Sequence, residues 1–153
     1  MRPRLGLIRA PGLMFRVRPF VPKDAPALDA IYRDCRAEAN WLPSLAKKKS
    51  NFARDTKGEI LLVAVGSNDE PVGFLSVWEP ESFVHHLYVR QPSRRNGIGE
   101  LLLRALNSRV PTPWKLKCLR ANEAALAFYI NRGWKRIGSG KGEEGPFFLL
   151  EKA

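Results

Sequence analysis

Apolar residues along the chain recur with either a two-residue or a helical period, and the switches between the two predict its elements. Phe15-Arg16-Val17-Arg18-Pro19-Phe20 alternates and predicts a first strand, stopped by Pro19 and Pro22. Asp24 stands where a helix cap belongs, and Ala27, Leu28, Ile31 and Tyr32 give an apolar stripe for a helix reaching about Glu38. After a loop at Asn40-Trp41-Leu42-Pro43, Ser44 to Arg54 predicts a second, strongly basic helix anchored by Leu45 and Phe52. Ile60 to Val65 is apolar without a break, as expected of a strand covered on both faces and central in its sheet. Gly66 to Glu70 then supplies a hairpin turn and Pro71 to Trp78 the returning strand.

The second half repeats the strand-then-helix alternation. Phe83 to Val89 is rich in β-branched, aromatic and bulky aliphatic residues, and Gln91-Pro92-Ser93 ends it. Ile98, Leu101, Leu102, Ala105 and Leu106 follow at helical spacing. Trp114 to Leu119 alternates as another strand, and Asn122 is placed to cap a helix over Glu123 to Arg132 that Gly133 ends. Trp134 to Ile137 predicts a strand, Gly138 to Gly145 a polar loop, and Phe147 to Glu151 the last strand. The order β-α-α-β-β-β-α-β-α-β-β describes a mixed sheet carrying helices, and hence the α/β class.

Composition narrows the setting. A chain of 153 residues has the size of one domain. Residues 1–14, rich in Arg, Pro and Gly, are expected to form a basic extension of low order ahead of a folded domain over 15–153. Met14 directly precedes the first strand, so translation from Met14 is as compatible with the sequence as translation from Met1. No apolar run approaches the roughly 20 residues of a membrane span, and none near the N-terminus resembles a secretory signal. Cys35 and Cys118 make no disulfide framework, which points to a reducing cytoplasm, and with only His85 and His86 as histidines no metal site is expected. The net charge of +11 suits a polyanionic partner. Its basic residues are scattered and no nucleic-acid-binding motif accompanies them, so nucleic acid is a weak expectation. Monomer and homodimer are equally compatible with the pattern.

The chemistry concentrates in the turn Arg94-Arg95-Asn96-Gly97-Ile98-Gly99, at the start of a helix. Unpaired N–H groups and the helix dipole attract anions there, glycines let a ligand approach the backbone, and two arginines add charge suited to phosphate. The chain has no Gly-Lys-Ser/Thr of a Walker A loop, and Leu102 stands where a Rossmann turn needs its third glycine. What remains, Arg94-x-x-Gly97-x-Gly99 after a strand ending Leu87-Tyr88-Val89, resembles the acetyl-CoA pyrophosphate loop of the GCN5-related N-acetyltransferases, Gln/Arg-x-x-Gly-x-Gly/Ala. A second stretch resembles that family's later motif, Asn-x4-Ala-x-x-Phe-Tyr-x-x-x-Gly-Phe. Asn122, Ala127, Phe128, Tyr129 and Gly133 fit it, and Trp134 replaces the usual Phe. The resemblance covers nearly the whole chain beyond its first fourteen residues. It implies the acyl-CoA N-acyltransferase fold, a mixed and centrally splayed sheet flanked by helices, with acetyl-CoA as co-substrate and no metal.

The resemblance also implies roles. The main chain of Leu87, Tyr88 and Val89 would hold the pantetheine and the thioester carbonyl, the loop from Arg94 through Arg95, Asn96, Gly97, Ile98 and Gly99 the pyrophosphate, and Asn122 and Phe128 would flank the pantetheine arm. Tyr129 is the candidate general acid, since a phenol near pKa ~10 is protonated at neutral pH and matches a leaving thiolate; the pair Phe128-Tyr129 also suits plain helix packing. His85 is the candidate base, on the same side of an ideal strand as Phe83, Leu87 and Val89, with His86 opposite. Phe83 occupies the place where the family often has a glutamate, which leaves His85, a water relay, or an acceptor already deprotonated. The implied reaction is direct acetyl transfer to a primary amine of a small molecule or protein. A non-catalytic CoA-binding module attached to nucleic acid or ribosome is the alternative. The overall positive charge makes an anionic or neutral acceptor electrostatically easier than a polyamine.

Overall fold

In the computed structural model, residues 8–10 and 13–153 are described. Eight strands lie side by side: β1 (Ile8–Ala10), β2 (Leu13–Pro19), β3 (Ile60–Val65), β4 (Pro71–Trp78), β5 (Phe83–Val89), β6 (Trp114–Leu119), β7 (Lys135–Gly142) and β8 (Gly145–Lys152). Their spatial order is β1-β2-β3-β4-β5-β6-β8-β7. Among the described residues, only the β5–β6 pair is parallel. The helices are α1 (Ala25–Glu38), α2 (Ser44–Lys48), α3 (Phe52–Asp55), α4 (Ile98–Ala105) and α5 (Glu123–Ile130). None of them is long and apolar enough to cross a membrane.

The continuous apolar run of β3 is explained by its place. Val63 and Val65 pack with Phe74, Leu28, Ile31 and Tyr32 beneath α1, while Leu62 and Ala64 pack with Leu75, Leu101 and Leu102 beneath α4. The sheet therefore carries a core on each face, as a doubly covered strand requires. The α4 core continues through Trp114, Leu116, Cys118, Tyr129 and Trp134, which ties the last third of the chain to the same hydrophobic mass.

Three expectations about the elements are corrected. The basic helix expected over Ser44 to Arg54 is two short helices, because Asn51 leaves the helical conformation and caps the second one, its side chain accepting from Arg54 N at 2.9 Å. The glycine-rich segment Gly138 to Gly145 is not a loop but most of a hairpin, whose turn is only Glu143-Glu144. Glycine is a matter of space there: a Cβ on Gly140 would stand 2.6 Å from the Phe147 ring across the hairpin. The first strand begins at Leu13 rather than Phe15 and pairs with Ile8–Ala10; the rest of the expected N-terminal extension, residues 1–7 and 11–12, lies outside the described residues.

Arg18 joins three segments in one ion cluster, its guanidinium donating to Asp24 at 2.8 and 2.9 Å ahead of α1 and to Asp69 at 2.9 Å in the β3–β4 turn. The Arg18 hydrogen bonds hold both carboxyls below their ordinary range, Asp69 at about 2. Groups depressed in the folded state stabilise it above their unfolded pKa and cease to do so as pH falls through the folded value. Arg18→Met is therefore expected to be less stable than the wild type at pH 7. Its urea-unfolding free energy should converge on the wild-type value between about pH 4 and pH 2.

Candidate active site

The sheet parts at its centre. β5 and β6 are paired only at Phe83↔Lys115 and Val84↔Leu116 and then diverge. On its other edge β5 follows β4 to Gly73↔Val89, and Arg90 N donates to Val72 O at 2.9 Å. In an antiparallel ladder alternate residues turn their backbone groups toward the partner. Counting back from Arg90, Tyr88 and His86 face β4, whereas Leu87 and Val89 face the gap. Of the three residues expected to offer main chain to a ligand, Tyr88 thus has its N–H and C=O directed into the sheet. Its side chain goes to the α1 face and receives a hydrogen bond from Arg36 at 3.4 Å.

The gap opens into a groove of 580 Å³ lined by Leu87, Val89, Arg94, Arg95, Gly97, Gly99, Asn122, Phe128 and Tyr129, together with Cys35, Glu38 and Trp41 from the α1 end. Arg95 and Gly97 both have positive φ, 67° and 74°, which folds the loop back so that α4 starts at Ile98. Among the described residues, the N–H groups of Arg95, Asn96 and Gly97 have no main-chain acceptor, and those of Ile98 and Gly99 belong to the first helical turn, where no intrahelical partner exists. Four of these residues, Arg95, Gly97, Ile98 and Gly99, line one end of the groove. Gly99 lets α4 meet α5 closely, since a Cβ there would lie 3.1 Å from the Phe128 ring. Arg132 lies over the same ring, its guanidinium 3.8 Å from the centroid.

Arg94 is committed otherwise. It donates to Val89 O at 2.8 Å and to Glu38 at 2.6 Å, fastening the loop to the ends of β5 and α1. Asn122 caps α5, accepting from Ala125 N at 3.2 Å, and lines the groove. Tyr129 is buried, which pushes its phenol well above the ordinary range and keeps it protonated at neutral pH. Burial likewise pushes up both thiols, Cys118 to about 11, so they are inert core groups.

The histidines break the expected alternation. The β4–β5 register passes from Ser76↔His86 to Val77↔Val84, so His85 is an extra residue in a bulge. Val84, Leu87 and Val89 side with the α4 core, while His85 turns away from them and joins His86 at the carboxylate of Glu59. His85 Nδ1 is hydrogen-bonded to Glu59 Oε2; His86 Nδ1 lies 3.6 Å from Oε1 and 2.7 Å from Ser76 Oγ. Glu59 stands at the entry to β3, and the small Ser76 of β4 leaves room for it to reach β5. Burial raises its pKa, but hydrogen bonding to His85 with the neighbouring imidazole more than offsets this and holds it at about 2.

A family model for an acetyltransferase (GNAT) domain matches residues 30–149. The chain belongs to the GNAT acetyltransferase family. Solved structures agree on the fold. Apo YjaB from Escherichia coli has a TM-score of 0.76 at 23% identity, over 90% of this chain and 96% of that one. A GNAT phosphinothricin acetyltransferase from Sinorhizobium meliloti, in complex with acetyl-CoA, has 0.66 at 20%, over 90% and 87%. Salmonella typhimurium yncA, with its cofactor acetyl-CoA, has 0.65 at 17%, over 90% and 92%. No curated protein matches the sequence.

On the far side of β5, this acetyltransferase has a cleft of 540 Å³ lined by Glu81, Phe83, His85, Lys117, Phe147 and the hairpin tip Glu143-Glu144. Glu144 is paired with Arg36, which leaves Glu81 and Glu143 against Lys117 in a chain whose net charge is +11. The local field thus runs against the global one. The hairpin tip is held over the sheet by Arg36 of α1, which is buried and donates to Glu144 at 2.7 Å and to Ala46 O at 3.4 Å while lying over the Tyr32 ring. Glu59 and Arg36 carry no sequence signal: neither belongs to a motif, and their partners are 26 and 108 residues away. Trp41 lines the groove beside β5, and Trp78 packs over Gly58. Arg36→Met is expected to release the hairpin tip, with faster amide exchange over residues 141–146 and a loss of about 1–3 kcal/mol in urea unfolding, the worth of a charged hydrogen bond.

Proposed function

We propose that this chain is an acetyl-CoA-dependent N-acetyltransferase that passes the acetyl group directly to a primary amine carrying positive charge. The observation that supports it most is the parting of β5 from β6. It frees the backbone of Leu87 and Val89 along a line from the N–H cluster at α4 to Tyr129, and β5 continues to His85 roughly 7 Å beyond Leu87, two strand residues away.

Acetyl-CoA supplies an activated acyl group, and the chain has parts suited to each portion of it. The N–H groups of Arg95 to Gly99, with the Arg95 side chain, suit the pyrophosphate. Leu87 offers its N–H and C=O, and Val89 its N–H, for the pantetheine amides and toward the thioester carbonyl, where negative charge grows as the amine attacks. Tyr129 returns a proton to the departing sulfur. His85 takes one from the acceptor, which arrives as an ammonium ion and must lose a proton to become nucleophilic. Glu81 and Glu143, which remain when Glu144 is paired to Arg36, favour a cationic acceptor at this mouth, whatever the charge elsewhere on the surface.

Thiol release measured against diamines, arylalkylamines, amino acids and peptides tests this. Turnover is expected, fastest for amines bearing a further positive charge. Tyr129→Phe should lower kcat by about 100-fold, within the usual contribution of a positioned acid, with the KM for acetyl-CoA unchanged. Calorimetric binding of acetyl-CoA with no turnover of any amine would leave a CoA-binding module and sink the enzyme reading.

A further inference from the structure

Glu59 is a costly residue for this fold. Its side chain is only 3% exposed, and among the described residues one of its oxygens, Oε1, has no hydrogen-bond partner. Burying a carboxylate is costly unless the charge is paired, and here the histidines of β5 must supply that pairing. The other oxygen is engaged by His85, whose side chain is 42% exposed and lines both cavities on the acceptor side. A fixed anion thus lies behind an imidazole whose remaining edge is turned to open space.

Resting on the acetyltransferase reading above, we propose that Glu59 is the positioning residue of a carboxylate–imidazole pair. It accepts from Nδ1–H of His85 and so leaves Nε2 bare as the base that deprotonates the acceptor. An imidazole hydrogen-bonded to a carboxylate through one nitrogen has its tautomer and ring orientation set, and the anion stabilises the imidazolium that forms. The β5 bulge is what makes the pair possible. In regular alternation His85 would point with Leu87 and Val89 into the α4 side, away from Glu59. His86, by contrast, sits at Ser76 with its ring edge-on to Tyr32, 5.4 Å between centroids, and its side chain is 14% exposed, so it serves the packing under α1.

The protons balance. The ammonium of the acceptor gives one proton to Nε2 of His85. The freed lone pair forms the N–C bond to the acetyl carbon, and the C–S bond breaks with its electrons on sulfur. Tyr129 protonates that sulfur and is restored by the second proton leaving nitrogen. His85 then releases its proton to water through the open cleft. The charged and titratable groups facing the pair are His86 on β5, Tyr32 and Arg36 on α1, Lys49, Arg54 and Asp55 around α2 and α3, Glu81 before β5, Lys117 on β6, and Glu143 and Glu144 on the hairpin. Of these, Arg36 is paired with Glu144 and Arg54 with Asp55, and Asp55 also accepts from Tyr32. Glu59 is the anion in direct contact with His85.

Two measurements on the whole protein test the pair. Nitrogen-15 NMR of the free wild type at pH 8 should show His85 protonated at Nδ1 and bare at Nε2. Then, with the best amine of the panel, Glu59→Gln should lower kcat by about 10- to 100-fold, and the acid limb of its kcat/KM profile should move to lower pH, because the anion that stabilises imidazolium is gone. His85→Asn keeps a donor on Glu59, so it should fold as the wild type does and bind acetyl-CoA equally well, yet lose about 100-fold in kcat. An Nε2–H tautomer in the wild type, an unmoved acid limb in Glu59→Gln, or full activity in His85→Asn would each overturn the pair while leaving the acetyltransferase reading intact. A wild type that turns over no amine would remove that reading, and the catalytic pair with it.

Discussion

Everything at the site depends on two strands failing to pair. A buried main-chain N–H or C=O without a partner costs about as much as a lost hydrogen bond, on the order of 1–3 kcal/mol, so β5 and β6 cannot separate inside the sheet unless their freed groups are solvated or reserved for a ligand. Here the separation is prepared on both sides. Beyond Val84 the chain holds β5 against β4 alone, and Arg94 covers the last exposed carbonyl, Val89 O. β6 meanwhile turns to β8, with six registered pairs from Trp114↔Lys152 to Leu119↔Phe147. The sheet behaves as two half-sheets hinged at two residue pairs, and the α4 core that runs beneath both keeps them at a fixed angle.

The bulge at His85 is the counterpart of that gap on the β4 side. One extra residue in β5 leaves Leu87 and Val89 in phase with the α4 core while turning the histidine onto the opposite face. The bulge thus sets two things at once: which backbone groups meet the groove and which imidazole meets Glu59. A one-residue slip would exchange the faces of all of them.

The sequence made some of this legible and hid the rest for definable reasons. The loop Arg94 to Gly99 and the cap Asn122 could be read because their chemistry is local: a helix start, two glycines and a capping side chain lie within a few residues of one another. The two-sided burial of Ile60 to Val65 was legible for the same reason, since a central strand writes its environment into consecutive residues. Glu59 was hidden because its meaning lies in a register across three strands, with Ser76 as the small residue that makes way. The outlook of His85 was mistaken because alternation assumes a regular strand, and nothing in Phe83-Val84-His85-His86 marks an insertion. Gly138, Gly140 and Gly142 read as a loop because turn chemistry and close cross-strand packing call for the same residue.

Charge shows the same division between what is summed and what is placed. A net charge of +11 is a property of the whole surface, and at about 0.15 M salt it is screened beyond roughly 8 Å. A charged molecule entering the cleft would respond to groups within that distance, and there, with Glu144 paired to Arg36, Glu81 and Glu143 stand against Lys117, which is itself drawn over the Phe147 ring at 4.8 Å. On the proposed reading the two regions suit two ligands separately: the N–H groups and arginines at the start of α4 would suit a polyanionic coenzyme, and the local negative mouth an ammonium ion. β5 lies between them, with its free backbone toward the first and its histidine toward the second. A single strand can serve both ligands because its bulge divides it into two segments that face different ways.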